Sequence, residues 1–368
     1  MEQKHEFITL LNKGLTMTEL CLRFSISRRT GYKWKKRYAE EGIQGLHDRS
    51  RRPKHSPNKT PSQLEELIVS IREEETDWGG KKIREILQRD HSFQNLPSIT
   101  TINNILKRNG MIDLNNSMKS KSFLSFEYDL PNQLWQMDFK GDFIMSNEKR
   151  CFPLTILDDH SRYNICLDAL QNQQYNSVHR HLKIVFKKFG LPQAILCDNG
   201  NPWGMNGMNK DEGRITKLEK WLMKLDVRMI HGRAYHPQTQ GKLERYHRTL
   251  KLELISKSKF KNMLDSQTKF KKWKHKYNHY RPHESLNQLV PAKRYSPSQR
   301  PYTEKLLKPE YLDSDAKRKV DEKGTISFKG IGIRVGKALY GEYVALRPKN
   351  NREYSVYFMG KEIKTIHL

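Results

Sequence analysis

Cysteine is scarce: Cys21, Cys151, Cys166 and Cys197 are the only four in 368 residues, and no two of them form a CxxC pair. That scatter argues against a zinc site and against a disulfide framework. Long apolar runs are missing too. None approaches the ~20 residues needed to span a bilayer, so no membrane partner is expected. The opening MEQKHEFITLLNKG is polar and helical in pattern, unlike a secretory signal. Acidic residues are outnumbered: 41 Asp and Glu against 68 Lys and Arg leave a formal net charge of +27. A field of that size attracts polyanions, which makes nucleic acid the expected partner and a basic membrane-surface protein the rival. The expectation is a reduced, intracellular, soluble protein.

The length suits about two to four domains. Residues 1–48 contain EFITLLNKGLTMTELCLRFSISRRTGYKWKKRYAEEG, whose apolar residues keep helical spacing broken at Gly14 and at Ser25 to Ser27. This predicts a helix-turn-helix, with Thr16 or Thr18 capping one helix and Ser27 capping the next. The last helix would expose Arg28, Arg29, Lys33 and Lys36 to phosphates and base edges; the bland alternative is an ordinary basic surface helix. Residues 49–60 read as an extended basic linker. There Arg49, Arg51 and Arg52 fit a narrow minor groove, or else are merely solvated.

Residues 61–112 predict a second helix-turn-helix-like domain, with Ser98 or Thr100 as a cap. From residue 61 to 120 eight basic residues face nine acidic ones, unlike the net +8 of residues 1–60. Its role is therefore expected to be partly architectural, packing or dimerising as well as touching DNA. Residues 113–129 are a polar connector.

In residues 130–295 the pattern becomes mixed. LWQMDFKGDFIM alternates Leu134, Gln136, Asp138 and Lys140 with Trp135, Met137, Phe139 and Gly141, and CFPLTILDDHSRYNICLDAL supplies two more strands. Helix then alternates with strand, and HPQTQGKLERYHRTLKLEL opens a long helix. This predicts an α/β sheet with helices on its faces. Residues 296–318 read as a linker. Residues 319–368 hold five short alternating runs, which predict a small all-β barrel or sandwich that leans on a partner, on DNA or on the core.

Chemistry is suggested by three carboxylates: Asp138 in the first strand, Asp198 at the end of ILCDNG, and Glu244 at the head of a strongly cationic stretch. From Gly241 to Arg281 there are thirteen Lys and Arg against three acidic residues. A charge in a half-buried strand is costly without a counter-charge or metal, and strand carboxyl ends are where α/β sheets bind ligands. Converging, the three would make a hard-oxygen site for Mg²⁺ or Mn²⁺, and two such ions suit in-line phosphoryl displacement. Arg248 and Lys251 follow on Glu244's face at helical spacing, where they can reach a phosphate strand. Asp158 and Asp159 are read as capping a strand turn and pairing with Arg162. His160, His236 and His283 are read as structural or DNA-contacting, and RPH at Arg281 to His283 as stabilising a helix end or touching DNA.

WQMDFKG, ILDDHSR, CDNG, HPQTQGKLER and YNHYRPHESLNQLVPAKRY, in that order, resemble the integrase core of DDE insertion-sequence transposases, relatives of retroviral integrases. GLHDRSRRPKHSP and the β-rich tail extend the resemblance over nearly the whole chain. It implies a multidomain protein with an RNase H-like core and with Asp138, Asp198 and Glu244 as a catalytic triad. It also implies that Gln240 contacts transposon-end DNA. Bacterial cytoplasm, association with the nucleoid, double-stranded DNA at transposon ends and target, and a homo-oligomer of at least two chains follow from it. Between Asp198 and Glu244 lie 45 residues, longer than the family pattern, and NPWGMNGMNKDEG is the natural place for the insertion. The expected activity is cleavage at terminal inverted repeats to expose 3′-OH ends, then joining to target DNA. A hydrolytic RNase H-like nuclease or resolvase, and a DNA-binding regulator with an inactive core, are the alternatives.

Overall fold

The structure, a computed structural model, describes residues 2–50, 59–91, 93, 95–112, 127–200, 202–203, 215–232, 241–350 and 352–367. Arg51, Arg52, His236 and Gln240, residues 113–126 and most of NPWGMNGMNKDEG lie outside the described residues. The chain divides into two compact units, Met1–Pro61 and Ser62–Leu368.

In the first unit α1 (Glu2–Asn12), α2 (Met17–Arg23) and α3 (Arg28–Glu41) close on Phe7, Ile8, Leu20, Cys21 and Leu46. Thr16, not Thr18, caps α2. Its side chain accepts from the Glu19 amide while the Glu19 carboxylate accepts from the Thr16 amide, a reciprocal capping box. Ser27 caps α3 as expected. Gly31 is buried where the helices cross: a Cβ there would stand 2.7 Å from Met17 Sδ and 3.0 Å from Phe7 Cζ. A side chain there would force Met17 and Phe7 to shift.

The second unit opens with α4 (Ser62–Glu74), α5 (Gly80–His91) and α6 (Ile99–Arg108), packed around Ile68, Trp78, Ile83 and Ile102, with Ser98 capping α6. This bundle docks on the sheet domain that follows. The Trp78 ring lies 5.8 Å from that of Tyr280, Lys276 Nζ is 2.5 Å from Glu75, Lys257 pairs with Asp77, and Arg89 donates to the Tyr280 carbonyl at 2.9 Å. Two of its acidic residues, Glu75 and Asp77, thus meet cations of the core.

The sheet is built from β1 (Leu134–Phe139), β2 (Phe143–Ile144), β3 (Arg150–Asp158), β4 (Asn164–Leu170), β5 (Ala194–Cys197) and β6 (Arg228–His231). Its order is β4-β3-β1-β5-β6, with β2 extending the hairpin along the start of β3. β1, β3 and β4 are antiparallel, whereas β5 and β6 run parallel to β1. α7 (Tyr175–Phe189) and α8 (Lys217–Met223) bury one face with Trp135, Met137 and Phe139. α9 (Gly241–Glu253) and α10 (Met263–His279) cover the other through Leu243, Tyr246, Leu250 and Trp273. The alternation in β1 therefore sends Gln136 and Asp138 toward α9. The long helix expected from residue 241 is in fact two: α9 stops at Glu253, and Asn262, whose side chain accepts from the Asp265 amide, starts α10 afresh.

Residues 296–318 are not a loose linker. The Ser298 amide donates to Phe189 O at 2.8 Å, the Leu191 amide to Arg300 O at 2.8 Å, and Arg300 reaches Pro192 O and Asp226. Gly190, with φ +76°, lies beneath this strap, where a Cβ would be 2.7 Å from Ser298 O. The stretch also holds the start of β7 (Ala316–Lys319), a strand that the polar AKRK gives no alternation to reveal. β7 joins β10 (Tyr343–Pro348), β11 (Glu353–Phe358) and β12 (Lys361–His367) in one sheet, beside a hairpin of β8 (Thr325–Phe328) and β9 (Ile331–Arg334). This all-β domain leans on α8: Ile215 and Met223 enter its core, Lys361 Nζ is 2.5 Å from the buried Glu219, and Lys224 Nζ is 2.7 Å from Glu342.

Candidate functional site

The parallel pairing of β1 with β5 ends with Gln136 beside Leu196, two residues before Asp138 on β1 and two before Asp198, which follows β5. Asp138 projects to the side covered by α9, where Glu244 lies exposed in the first turn. Burial, then the charge of Asp198 and more weakly that of Glu244, push the Asp138 carboxyl up to about 7, although the Phe139 amide donates to it at 2.7 Å. Three elements distant in sequence thus bring three carboxylates into one electrostatic neighbourhood.

That neighbourhood suits a hard divalent cation, because full ionisation of the carboxylates calls for a counter-charge. The convergence on a single point suggested by the sequence is not seen: among the described residues no group of three or more His, Cys, Asp or Glu side chains is placed to hold one ion. Asp198 follows β5 in a turn in which its Oδ1 accepts from the Gly200 amide at 2.8 Å. A Cβ on Gly200 would lie 3.1 Å from both carboxylate oxygens. The glycine keeps that side of the carboxylate open.

His247 is a neighbour that the sequence pattern did not reveal. One turn beyond Glu244, its Nε2 is 2.7 Å from Thr155 Oγ1 and its Nδ1 4.0 Å from Asp138 Oδ2. Burial, helped by Lys140, pushes this imidazole down to about 3. The i, i+3 spacing from Glu244 was its available signal.

Asp158 and Asp159 are fully buried and belong to the frame. Asp158 accepts from the Asn132 amide at 2.7 Å and from the Ser161 amide and hydroxyl at 2.8 and 2.6 Å, so it caps the strand turn as expected. The expected pairing with Arg162 needs correction. Arg162 donates to the main-chain carbonyl of Asp159 and pairs with Glu127 at 2.8 Å, while the Asp159 carboxylate takes Lys242 of α9. His160 is 2.9 Å from Tyr128 O and also meets Arg294. Arg281 pairs with Glu253 at 2.8 Å, and His283 lies buried 3.1 Å from Tyr277 O, so RPH stabilises the core rather than presenting cations.

On α9 Arg248 and Lys251 are exposed, as is Arg245 beside Glu244. In the first unit Arg28, Arg29, Lys33 and Lys36 are exposed on α3, with Lys36 3.8 Å from Glu40, and Arg28 donating to Thr18 Oγ1 at 2.7 Å. Tyr32, 54% exposed, shares their face at helical spacing and was not foreseen. Arg49 is exposed and pairs with Glu41.

Matches to family models cover most of these parts: an integrase core domain over residues 129–237 and again over 225–291, a helix-turn-helix domain over 3–54, a homeodomain-like domain over 30–106, and the C-terminal domain of IS481 family transposases over 315–368. The class is therefore a helix-turn-helix protein built around an RNase H-like integrase core. The integrase-core and IS481 C-terminal models, together with the relatives, support an insertion-sequence transposase of the retroviral integrase superfamily. It is 22% identical over 241 residues to an uncharacterized 31.7 kDa protein of insertion element IS407 from Burkholderia multivorans, covering 64% of this chain and 82% of that protein. With the transposase of transposon Tn552 from Staphylococcus aureus it shares 24% identity over 251 residues, 61% of this chain and 50% of that one. Among solved structures, a simian T-cell lymphotropic virus intasome chain aligns with 81% of this chain and 99% of its own at 16% identity, with a TM-score of 0.39. No helix among the described residues is long and apolar enough to cross a membrane.

Proposed function

We propose that the chain binds the terminal inverted repeats of its own mobile element, cleaves them to expose 3′-OH ends and joins those ends to target DNA. Asp138, Asp198 and Glu244 are the catalytic triad. The observation that carries the reading is the raised pKa of Asp138, to which the charges of Asp198, just past the neighbouring parallel strand, and of Glu244, on the helix packed over the same side, both contribute. Two divalent ions, Mg²⁺ or Mn²⁺, held by these carboxylates would supply activation of the attacking oxygen and charge neutralisation at the leaving oxygen. Cleavage and joining differ only in nucleophile, water first and then the DNA hydroxyl.

The protein's own side chains bring and align the DNA. Arg28, Arg29, Lys33 and Lys36 hold the terminal repeat, with Arg49, Arg51 and Arg52 following its minor groove and Gln240 touching the end. Arg248 and Lys251 keep the scissile strand beside Glu244. Pairing two ends calls for at least two copies of the chain. A basic DNA-binding enzyme of this kind would work in the bacterial cytoplasm, at the nucleoid.

Incubating the protein and Mg²⁺ with intact and with pre-cleaved end DNA tests the reading. Both substrates should yield joined products, and Asp138→Asn, Asp198→Asn or Glu244→Gln should each abolish cleavage and joining while sparing end binding. Hydrolysis without joining would identify a nuclease, and binding without either reaction a regulator. Joining retained in one variant would remove that residue from the triad.

A further inference from the structure

Among the described residues Glu244 makes no hydrogen bond or ion pair of its own, so its place depends on how α9 is seated. Two residues earlier Lys242 turns inward. Its Nζ lies 2.6 Å from Asp159 Oδ2 and 3.3 Å from Asp159 O, with 10% of the lysine side chain and none of the aspartate exposed. A cation in the first turn of a helix opposes the helix dipole, and burying a charged pair brings a large desolvation cost. Helix stability therefore does not account for Lys242.

What the pair does is join two elements. The same Asp159 carboxylate accepts from Gln136 Nε2 at 2.8 Å and from the Tyr128 amide at 3.0 Å. Gln136 stands two residues before Asp138 on β1 and projects to the same side of the strand. One buried carboxylate thus grips the strand that carries Asp138 and the helix that carries Glu244.

We propose that Lys242 and Asp159 are positioning residues, a buried ion pair that fixes the separation between Glu244 and Asp138 and so sets the geometry of the acidic site. The inference rests on the reading of Glu244 as a triad member. An ion pair serves here because its directionality sets a register that apolar packing alone leaves free to slide.

The test compares Lys242→Met, Lys242→Arg and the double variant Asp159→Asn/Lys242→Met in the full-length protein. Three readouts are taken: Mn²⁺ binding by electron paramagnetic resonance, single-turnover joining of pre-cleaved ends, and thermal melting. In Lys242→Met and in the double variant, Mn²⁺ affinity and joining should each fall ~10–100-fold, as when a group supporting a metal ligand is removed. End-DNA affinity should hold, and raising Mn²⁺ should restore part of the rate. Lys242→Arg, which keeps the ion pair, should recover most of both losses. The double variant leaves no uncompensated buried charge, so it decides the matter if Lys242→Met fails to fold. Wild-type Mn²⁺ affinity and joining in a folded double variant would overturn the proposal. Glu244→Gln separates the two levels: if it leaves Mn²⁺ binding and joining intact, the triad reading falls and the inference with it. If it abolishes both while the double variant behaves as wild type, only the positioning pair falls.

Discussion

His247 Nδ1 stands 4.0 Å from Asp138 Oδ2, while its Nε2 is 2.7 Å from the hydroxyl of Thr155. Thr155 spends its single proton on the Asp138 carbonyl at 2.8 Å, so the hydroxyl accepts from Nε2–H and Nδ1 is left without a proton. Kept neutral by burial, the ring is a fixed spacer between α9 and the sheet rather than a counter-ion for Asp138.

Without such a counter-ion, Asp138 makes the chelated protein pH-sensitive. Its folded pKa, about 7, lies above the unfolded value, so its stabilising contribution is full below about pH 4 and is lost as pH rises through 7. Asp138→Asn should then match wild type near pH 4 and exceed it by roughly 3–4 kcal/mol above pH 7. Urea unfolding with a chelator present measures this. A pH-independent difference would mean that neither burial nor the neighbouring carboxylates raise the Asp138 carboxyl.

End recognition by α3 predicts a change in salt dependence. Replacing Arg28, Arg29 and Lys33 with Ala should weaken binding to terminal repeats and lower the slope of log K against log salt by about 0.9 for each phosphate that the protein no longer neutralises. Tyr32→Ala should lower affinity with little change in slope, because the ring carries no charge. Gel shifts at several salt concentrations distinguish the two. An unchanged slope in the triple variant would move recognition to another part of the chain.

How much of this was legible depended on periodicity. Alternation in LWQMDF separated Asp138 from Trp135 and Met137, and the caps at Ser27 and Ser98 were visible as Ser before helical spacing. β7 was hidden because its AKRK carries no apolar residue beyond Ala316, and it is a strand only because β10 pairs with it. The strap at residues 296–315 looked like a linker since its order comes from backbone bonds to Phe189 and Leu191 and from Arg300 donating to Pro192 O and Asp226, partners distant in sequence that no local periodicity reports. Lys242 and His247 went unread as site neighbours for a related reason. Their partners, Asp159 and Thr155, are distant in sequence, and helical spacing alone does not report which side chain turns inward to meet them.

The far end of α9 is held by another buried pair. Glu253 and Arg281 have 4% and 11% of their side chains exposed. Arg281→Ala should strand the carboxylate and cost ~3–5 kcal/mol, whereas Glu253→Leu/Arg281→Met should recover most of it. Denaturant midpoints of the two variants give the comparison. Equal losses would show that Arg281 matters through its packing rather than its charge.

Arg248 and Lys251 follow Glu244 by four and seven residues on an exposed stretch of the helix. If they hold the scissile strand, Arg248→Ala plus Lys251→Ala misplaces the phosphate against the carboxylates without removing any of them. A displacement of about 1 Å costs ~100-fold in rate, so single-turnover cleavage at saturating protein should fall by about that factor. Binding of the full terminal repeat should fall much less, because α3 still grips the DNA. Gel-shift affinity on the same DNA supplies the control. Equal losses in both would mean that these cations add only affinity, and a wild-type cleavage rate would turn this face of α9 away from the scissile strand.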